Sequence, residues 1–182
     1  MRLKLVYILF SFILVSCFEK ETSTVDLIKI ETENQPDFKI KSPKVDFYDS
    51  IHIKAVLTAD FAENYIKYNY TSLFNNVHLD FYENHSKNIE TYIDADSAVI
   101  FNNNNNMFAY NNVYVWSKKS KTSLKTDFLE WNENKRMLFS DKYVKINSPV
   151  EIIEGYGFES NQDLSNYKIF KVSGVITKWE NI

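Results

Sequence analysis

The sequence predicts an all-β fold, in which short antiparallel strands stack into a long sheet that folds over into an open, two-walled apolar trough. Three observations predict it. Apolar residues alternate with period two, a strand–turn–strand phrase returns at near-equal spacing, and the turns use asparagine where glycine is scarce, at three in 182 residues.

The alternation runs from Lys44 onward, in stretches such as VHLDFY (77–82), VYVW (113–116) and YVKI (143–146). Runs of four to eight residues that switch face at every step and are rich in Val, Ile, Tyr and Phe are the pattern of half-buried strands. LTADFAENYIKY (57–68) has the propensity for a helix, but the repeat it opens assigns it to strands.

Three copies of that repeat align. TADFAE (58–63) precedes NNVHLDF (75–81), DADSAV (94–99) precedes NNVYVWS (111–117), and KTDFLE (125–130) precedes DKYVKIN (141–147). The spacings Ala62 to Val77, Ala98 to Val113 and Leu129 to Val144 are each 15 residues, with the copies offset by 36 and then 31. GYGFES (155–160) with VSGVI (172–176) reads as a worn fourth copy. Units this small cannot bury an apolar face alone, so they stack. The segments ENHSKN (83–88), FNNNNN (101–106) and WNENKR (131–136) read as turns, because asparagine tolerates positive φ. All three glycines, Gly155, Gly157 and Gly174, fall in the last copy.

The N-terminus reads differently. A basic start (Arg2, Lys4) leads into an apolar run from Leu5 to Phe10 that resumes after Ser11 and ends at Cys17. This is the layout of a signal peptide over residues 1–16, and the run is about half of the roughly 20 residues a spanning helix needs. Leu14-Val15-Ser16-Cys17 resembles a bacterial lipobox, which makes Cys17 the first mature residue and the lipidation site. Burial at about 0.8 kcal/mol per CH₂ makes a multi-chain anchor stable. Cys17 is the sole cysteine, so no disulfide can form within one chain. Residues 17–43 read as a lipidated N-terminus and polar tether with room for a short strand at Val25–Ile30, and residues 44–182 as the folded domain.

Charge and motifs narrow the function. Loss of Arg2 and Lys4 leaves 19 basic against 24 acidic residues, a net charge of −5, with no basic cluster to neutralise nucleic-acid phosphates. The three histidines, His52, His78 and His85, lack partners at metal-ligand spacing and read as surface or rim residues. No HExxH motif, serine elbow or phosphate-cradling glycine loop occurs, so the chain reads as a non-enzyme without metal or cofactor. Asp94, Asp96 and Asp127 read as strand-start residues that satisfy turns.

LKTDFLEWNENKRMLFSDKYVKI (124–146) followed by IIEGYGFESNQDLSNYKIFKVSGVI (152–176) resembles the LptC family of lipopolysaccharide-export proteins. Leu124, Thr126-Asp127, Leu129, Trp131, Ser140-Asp141, Val144, Ile146, Gly155-x-Gly157-Phe158 and Gly174 carry the resemblance, which is good over residues 90–176 and weaker back to about 45. It implies an open β-jellyroll, or β-taco, with Thr126, Asp127, Gly155, Gly157 and Gly174 as structural positions. It implies a role in passing lipopolysaccharide from an inner-membrane ABC transporter to the next jellyroll of a periplasmic bridge, with edge strands joining neighbours. Family members usually carry a transmembrane helix where this chain has Cys17. The resemblance therefore places a lipid-anchored protein at the periplasmic face of the inner membrane, with an outer-membrane anchor as the other option.

On this reading the acyl chains lie against Val77, Leu79, Val113, Val115, Leu124, Leu138, Val144, Ile146 and Phe158. The same residues would also pack on one another as core, and a one-residue register shift would turn them all outward. The alternative is a glycan-binding or structural envelope lipoprotein with a β-sandwich-like fold, which would expose Trp116, Trp131 and Trp179 for stacking on sugars.

Overall fold

The computed structural model describes residues 35–178. Residues 1–16, Cys17, the possible strand at Val25–Ile30 and Trp179 lie outside the described residues. Eleven strands form one antiparallel sheet: β1 (Phe38–Lys41), β2 (Lys44–Asp49), β3 (His52–Thr58), β4 (Phe61–Tyr65), β5 (Tyr70–Tyr82), β6 (Ile89–Phe101), β7 (Met107–Ser117), β8 (Thr122–Asn132), β9 (Met137–Asn147), β10 (Glu151–Asn161) and β11 (Tyr167–Thr177). The order runs β1-β4-β5-β6-β7-β8-β9-β10-β11, and β5 pairs β3 beyond its pairing with β4, while β3 pairs β2. β1 and β11 are the ends of this path and do not pair with each other, so the sheet is open rather than closed into a barrel.

Strands β5 to β11 are 11 to 13 residues long because each crosses a corner and contributes to both walls. The short units legible in the sequence are the two halves of these strands. The corner is a line of β-bulges. Asn75 and Asn76 of β5 lie between the Phe74↔Ser97 and Val77↔Ala95 pairs, opposite Asp96. Asn111 and Asn112 of β7 lie between Tyr110↔Phe128 and Val113↔Thr126, opposite Asp127. All four asparagines have φ between 49° and 61°, a left-handed conformation that bends the strand and that asparagine adopts more readily than most residues. Asn76 Nδ2 donates to Asp60 Oδ2 at 2.9 Å, and Asn112 Nδ2 donates to Asp96 Oδ2 at 2.7 Å. The sequence repeat is therefore a repeated corner. Gly157, at φ +75°, makes the corresponding bend in β10.

Two expectations need correction. The tether does not reach residue 43: the folded unit begins at Pro36, and β1 within the expected tether pairs β4 in the register Ile40↔Ala62. The strand pattern was obscured because Ser42 (φ 50°) and Pro43 break the run at the corner. Asp94, Asp96 and Asp127 do not start strands; they sit mid-strand in β6 and β8, where Asp96 and Asp127 face the bulges.

Inside the corner, alternate residues of both walls meet in one apolar core from Ala55 and Leu57 of β3 to Phe158 of β10. Leu57, Val115, Leu124, Leu138, Val144 and Ile146 are fully buried. The turns at 83–88, 102–106 and 133–136 agree with the Asn-rich segments, and the LTADFAENYIKY stretch holds the end of β3, the corner, β4 and a short 3₁₀ turn (Ile66–Tyr68).

Candidate functional site

All nine residues expected to line the trough point inward, and none exposes more than 3% of its surface. They are also tightly packed. A partly open space of about 20 Å³ lies against Phe47, Leu79, Phe81 and Met107, room for about one water molecule. In this conformation the trough is a filled core.

The structural positions behave as their chemistry requires. Thr126 is buried beside the corner, where its hydroxyl donates to the Tyr143 carbonyl at 2.8 Å and lies 3.3 Å from Ser140 Oγ, tying β8 to β9 where the bulge removes ladder bonds. Asp127 is exposed at the bulge. A Cβ on Gly155 would lie 2.4 Å from the Lys171 carbonyl oxygen, so glycine is needed for β11 to approach. Gly174 has open space, its nearest atom being Glu154 Oε2 at 3.9 Å.

The mouth of the trough, opposite the corner, is where the two rims meet. On one rim lie Asp49, Lys54, Glu90, Lys119 and Ser120; on the other lie Glu133, Arg136, Gln162 and Asp163. Arg136 Nη2 reaches Asp49 Oδ2 at 3.4 Å, Lys54 pairs with Glu133, and Gln162 Nε2 donates to Glu90 Oε2 at 3.3 Å. Lys119 Nζ lies 2.7 Å from Asp163 Oδ2 and 3.5 Å from Glu90 Oε1, while Ser120 Oγ donates to the Asp163 carbonyl at 2.7 Å. Beneath these contacts Phe81 and Trp131 pack with ring centroids 4.9 Å apart, and Trp131 Nε1 donates to Glu133 Oε2 at 3.0 Å. A cleft of about 280 Å³ lies among these groups. Asp163 is nearly buried; burial alone would raise its carboxyl, but Lys119 and the Ser165 hydroxyl and amide outweigh that and hold it below its ordinary value. The Asp163 contact in turn raises the Lys119 ammonium.

The histidines do not converge. His78 sits on the outer face, with Nδ1 2.6 Å from Asp94 Oδ1 and Nε2 3.1 Å from Asp80 Oδ1. Burial pulls its pKa down, yet the two carboxylates raise it overall. His85 stands in the β5–β6 turn, edge-on to His52 at 4.4 Å. Among the described residues no group of three or more His, Cys, Asp or Glu is placed to hold a metal ion. Trp131 is buried in the mouth while Trp116 lies half-buried on β7, so the described tryptophans do not form the exposed sugar-stacking cluster that the glycan reading requires.

The sequence profile of the family described as lipopolysaccharide-assembly, LptC-related, matches residues 5–176, most of the chain. The chain belongs to this LptC-related family. It is thereby a component of lipopolysaccharide transport, and the family is one of transport proteins rather than enzymes. Among curated proteins none matches the chain. Among solved structures it is similar to LptH, the LptA-homologous periplasmic component of the lipopolysaccharide transport device of Pseudomonas aeruginosa, with a TM-score of 0.54 at 11% identity over 64% of this chain and 82% of that one. At that identity the likeness is one of fold, and it places this LptC-related chain among open jellyrolls.

The rim residues were not singled out from sequence. Each is a charged or polar residue at or beside a turn, and the partners across the mouth lie 43 to 87 positions away. Trp131 was the one signal, an aromatic residue directly before a polar turn.

Proposed function

We propose that this LptC-related protein takes lipopolysaccharide from an inner-membrane ABC transporter and passes it to the next jellyroll of a periplasmic bridge, with the acyl chains held between its two walls. The observation that carries this is a continuous apolar interior built from all nine expected lining residues in a member of a lipopolysaccharide-assembly family. At about 25 cal/mol per Å² of apolar surface, burial of several acyl chains gives ample affinity. An interior already filled by side chains limits that affinity, because protein contacts must be given up for lipid contacts. Transfer needs binding of this moderate kind.

The sheet ends support hand-over. β11 exposes Phe170, Val172, Val175 and Ile176, and β1 exposes Phe38 and Ile40. Unpaired edges flanked by apolar side chains suit strand addition by a neighbouring jellyroll. A lipid on Cys17 would hold the protein at the periplasmic face of the inner membrane through the chain that precedes Pro36.

The test is photo-crosslinking in cells with the crosslinker at Val144, which is fully buried between the walls, and at Lys145, which is exposed and lies 2.6 Å from Glu154 on the outer face. Lipopolysaccharide should attach at Val144 and not at Lys145. Capture at neither position while export continues would sink the conduit reading.

A further inference from the structure

We propose that the Ile66–Tyr68 turn, with the aromatic rings around it, is a membrane-contact site that rests in the interface of the bilayer carrying the Cys17 lipid. The inference rests on the reading that Cys17 is lipidated.

Three observations lead to it. First, the turn exposes apolar surface that the sheet does not explain. The β4–β5 pairing ends at Tyr65↔Tyr70, and beyond it Ile66 is 55% and Tyr68 43% exposed. Exposed aromatic residues within a sheet are accounted for by their cross-strand neighbours, but Ile66 stands on a turn outside the ladder. Second, the rings beside it form one continuous group. Tyr65 stacks on Tyr70 at 4.6 Å, and Tyr70 lies 6.3 Å from Tyr68 and 6.4 Å from the exposed Phe101. Third, the chain leading from Cys17 enters the fold at this turn. The Asp37 carboxylate accepts the Ile66 backbone N–H at 2.8 Å, and the Asp37 N–H donates to the Asn64 carbonyl at 2.8 Å.

The turn is held in place. Asn69, at φ 55°, donates its N–H to the Ile66 carbonyl at 3.1 Å and accepts the Asn102 N–H at 2.8 Å. The 18 residues between Cys17 and Pro36 reach at most roughly 60 Å, so a lipid on Cys17 keeps the turn close to the surface. At such an effective concentration a small contact suffices, one that supplements the anchor without replacing it. An isoleucine at the tip with tyrosines behind it suits the interface, where a tyrosine ring is buried while its hydroxyl stays at the headgroups. The charged groups beside the turn balance. Lys39 lies 3.1 Å from Glu63, and Lys67 Nζ stands 5.3 Å from the Tyr68 ring centroid, with Asp37 on the other side of the count. The contact is therefore apolar and aromatic and does not call for anionic lipid. It turns the β1 end of the trough toward the bilayer.

The experiment uses the lipidated full-length mature protein bound to phosphatidylcholine vesicles. Cys17 is the sole cysteine and its thiol is taken up by the lipid, so an introduced cysteine is the one labelling site. An environment-sensitive fluorophore is placed in Ile66→Cys, in Tyr68→Cys, and in Lys168→Cys, an exposed position on β11 at the other end of the strand order. Nitroxide-bearing lipid should quench the first two labels about threefold more than the third, with no change at raised salt. If circular dichroism shows that Tyr68→Cys disturbs the fold, Ile66→Cys carries the test. Equal quenching at all three positions on vesicle-bound protein overturns the contact and leaves the lipid anchor intact. Protection of the turn in native membranes but not in vesicles assigns it to a protein partner and likewise overturns the contact. A mature protein whose mass shows no lipid on Cys17 overturns the anchor reading, and this inference with it.

Discussion

Replacing each glycine by alanine, one at a time, should separate three effects. A Cβ on Gly155 would lie 2.4 Å from the Lys171 carbonyl, 2.6 Å from Ile169 Cγ2 and 3.0 Å from Val172 Cα. Two of these atoms are backbone, so the β10–β11 pair must shift, and overpacking of this kind costs about 1–3 kcal/mol, with this site at the upper end. Gly157 is held at φ +75°, where an L-residue costs about 1–2 kcal/mol; its Cβ would also meet Phe170 Cδ2 at 3.0 Å, but that ring is exposed and can move. Gly174 has φ outside the left-handed range and no neighbour closer than 3.9 Å, so alanine there should stay within about 0.5 kcal/mol of wild type. Urea unfolding of the full chain, followed by circular dichroism, reads the order. With m near 2 kcal/mol per M, a loss of about 2 kcal/mol lowers the midpoint by about 1 M. The expected ranking is Gly155→Ala worst, Gly157→Ala next and Gly174→Ala near neutral. A Gly174→Ala effect equal to that of Gly155→Ala would refute the account of close approach and left-handed backbone.

Phe158→Ala removes a fully buried ring between the walls and should cost about 3–5 kcal/mol, measured by the same urea midpoint. His78 has its pKa raised in the folded state by Asp94 and Asp80, so its stabilising contribution should be complete below the ordinary histidine value of about 6.5 and disappear as pH rises through the folded value. The stability gap between wild type and His78→Gln should therefore narrow from pH 6 to pH 9, and a gap that widens would contradict the assigned pairs. Cys17→Ala should move the mature protein from the membrane pellet to the soluble fraction of fractionated cells, whereas unchanged membrane partition would exclude lipid anchoring at that residue.

Much of this was legible because period two is a strong signal. Val113 and Val115, or Val144 and Ile146, had to share one face, but which face pointed inward was not legible, because a one-residue shift reverses it. The corners were not legible. Asn75-Asn76 and Asn111-Asn112 carry the same chemistry as turn asparagines, and positive φ in a bulge looks like positive φ in a hairpin loop. β1 was hidden because Ser42-Pro43 interrupts its alternation four residues after Phe38. The mouth was the least legible part. Lys54 and Glu133 are 79 residues apart and Asp49 and Arg136 are 87, so no local pattern links them. Each was indistinguishable from an ordinary solvated charge until the rims were brought together by the bend.

The corner repeat also sets a scale of length. Strands in a sheet are spaced about 4.8 Å apart, so the run of paired strands from β1 to β11 makes a trough roughly 40 Å long. Each hairpin contributes two strand spacings, about 10 Å, for one repeat of 36 or 31 residues. Because the backbone of each strand pairs only with adjacent strands, duplication or loss of one hairpin changes reach while leaving the cross-section and the corner unchanged. Evolution can adjust the distance spanned by such a chain in fixed steps, and end-to-end joining continues the same count from one protein to the next.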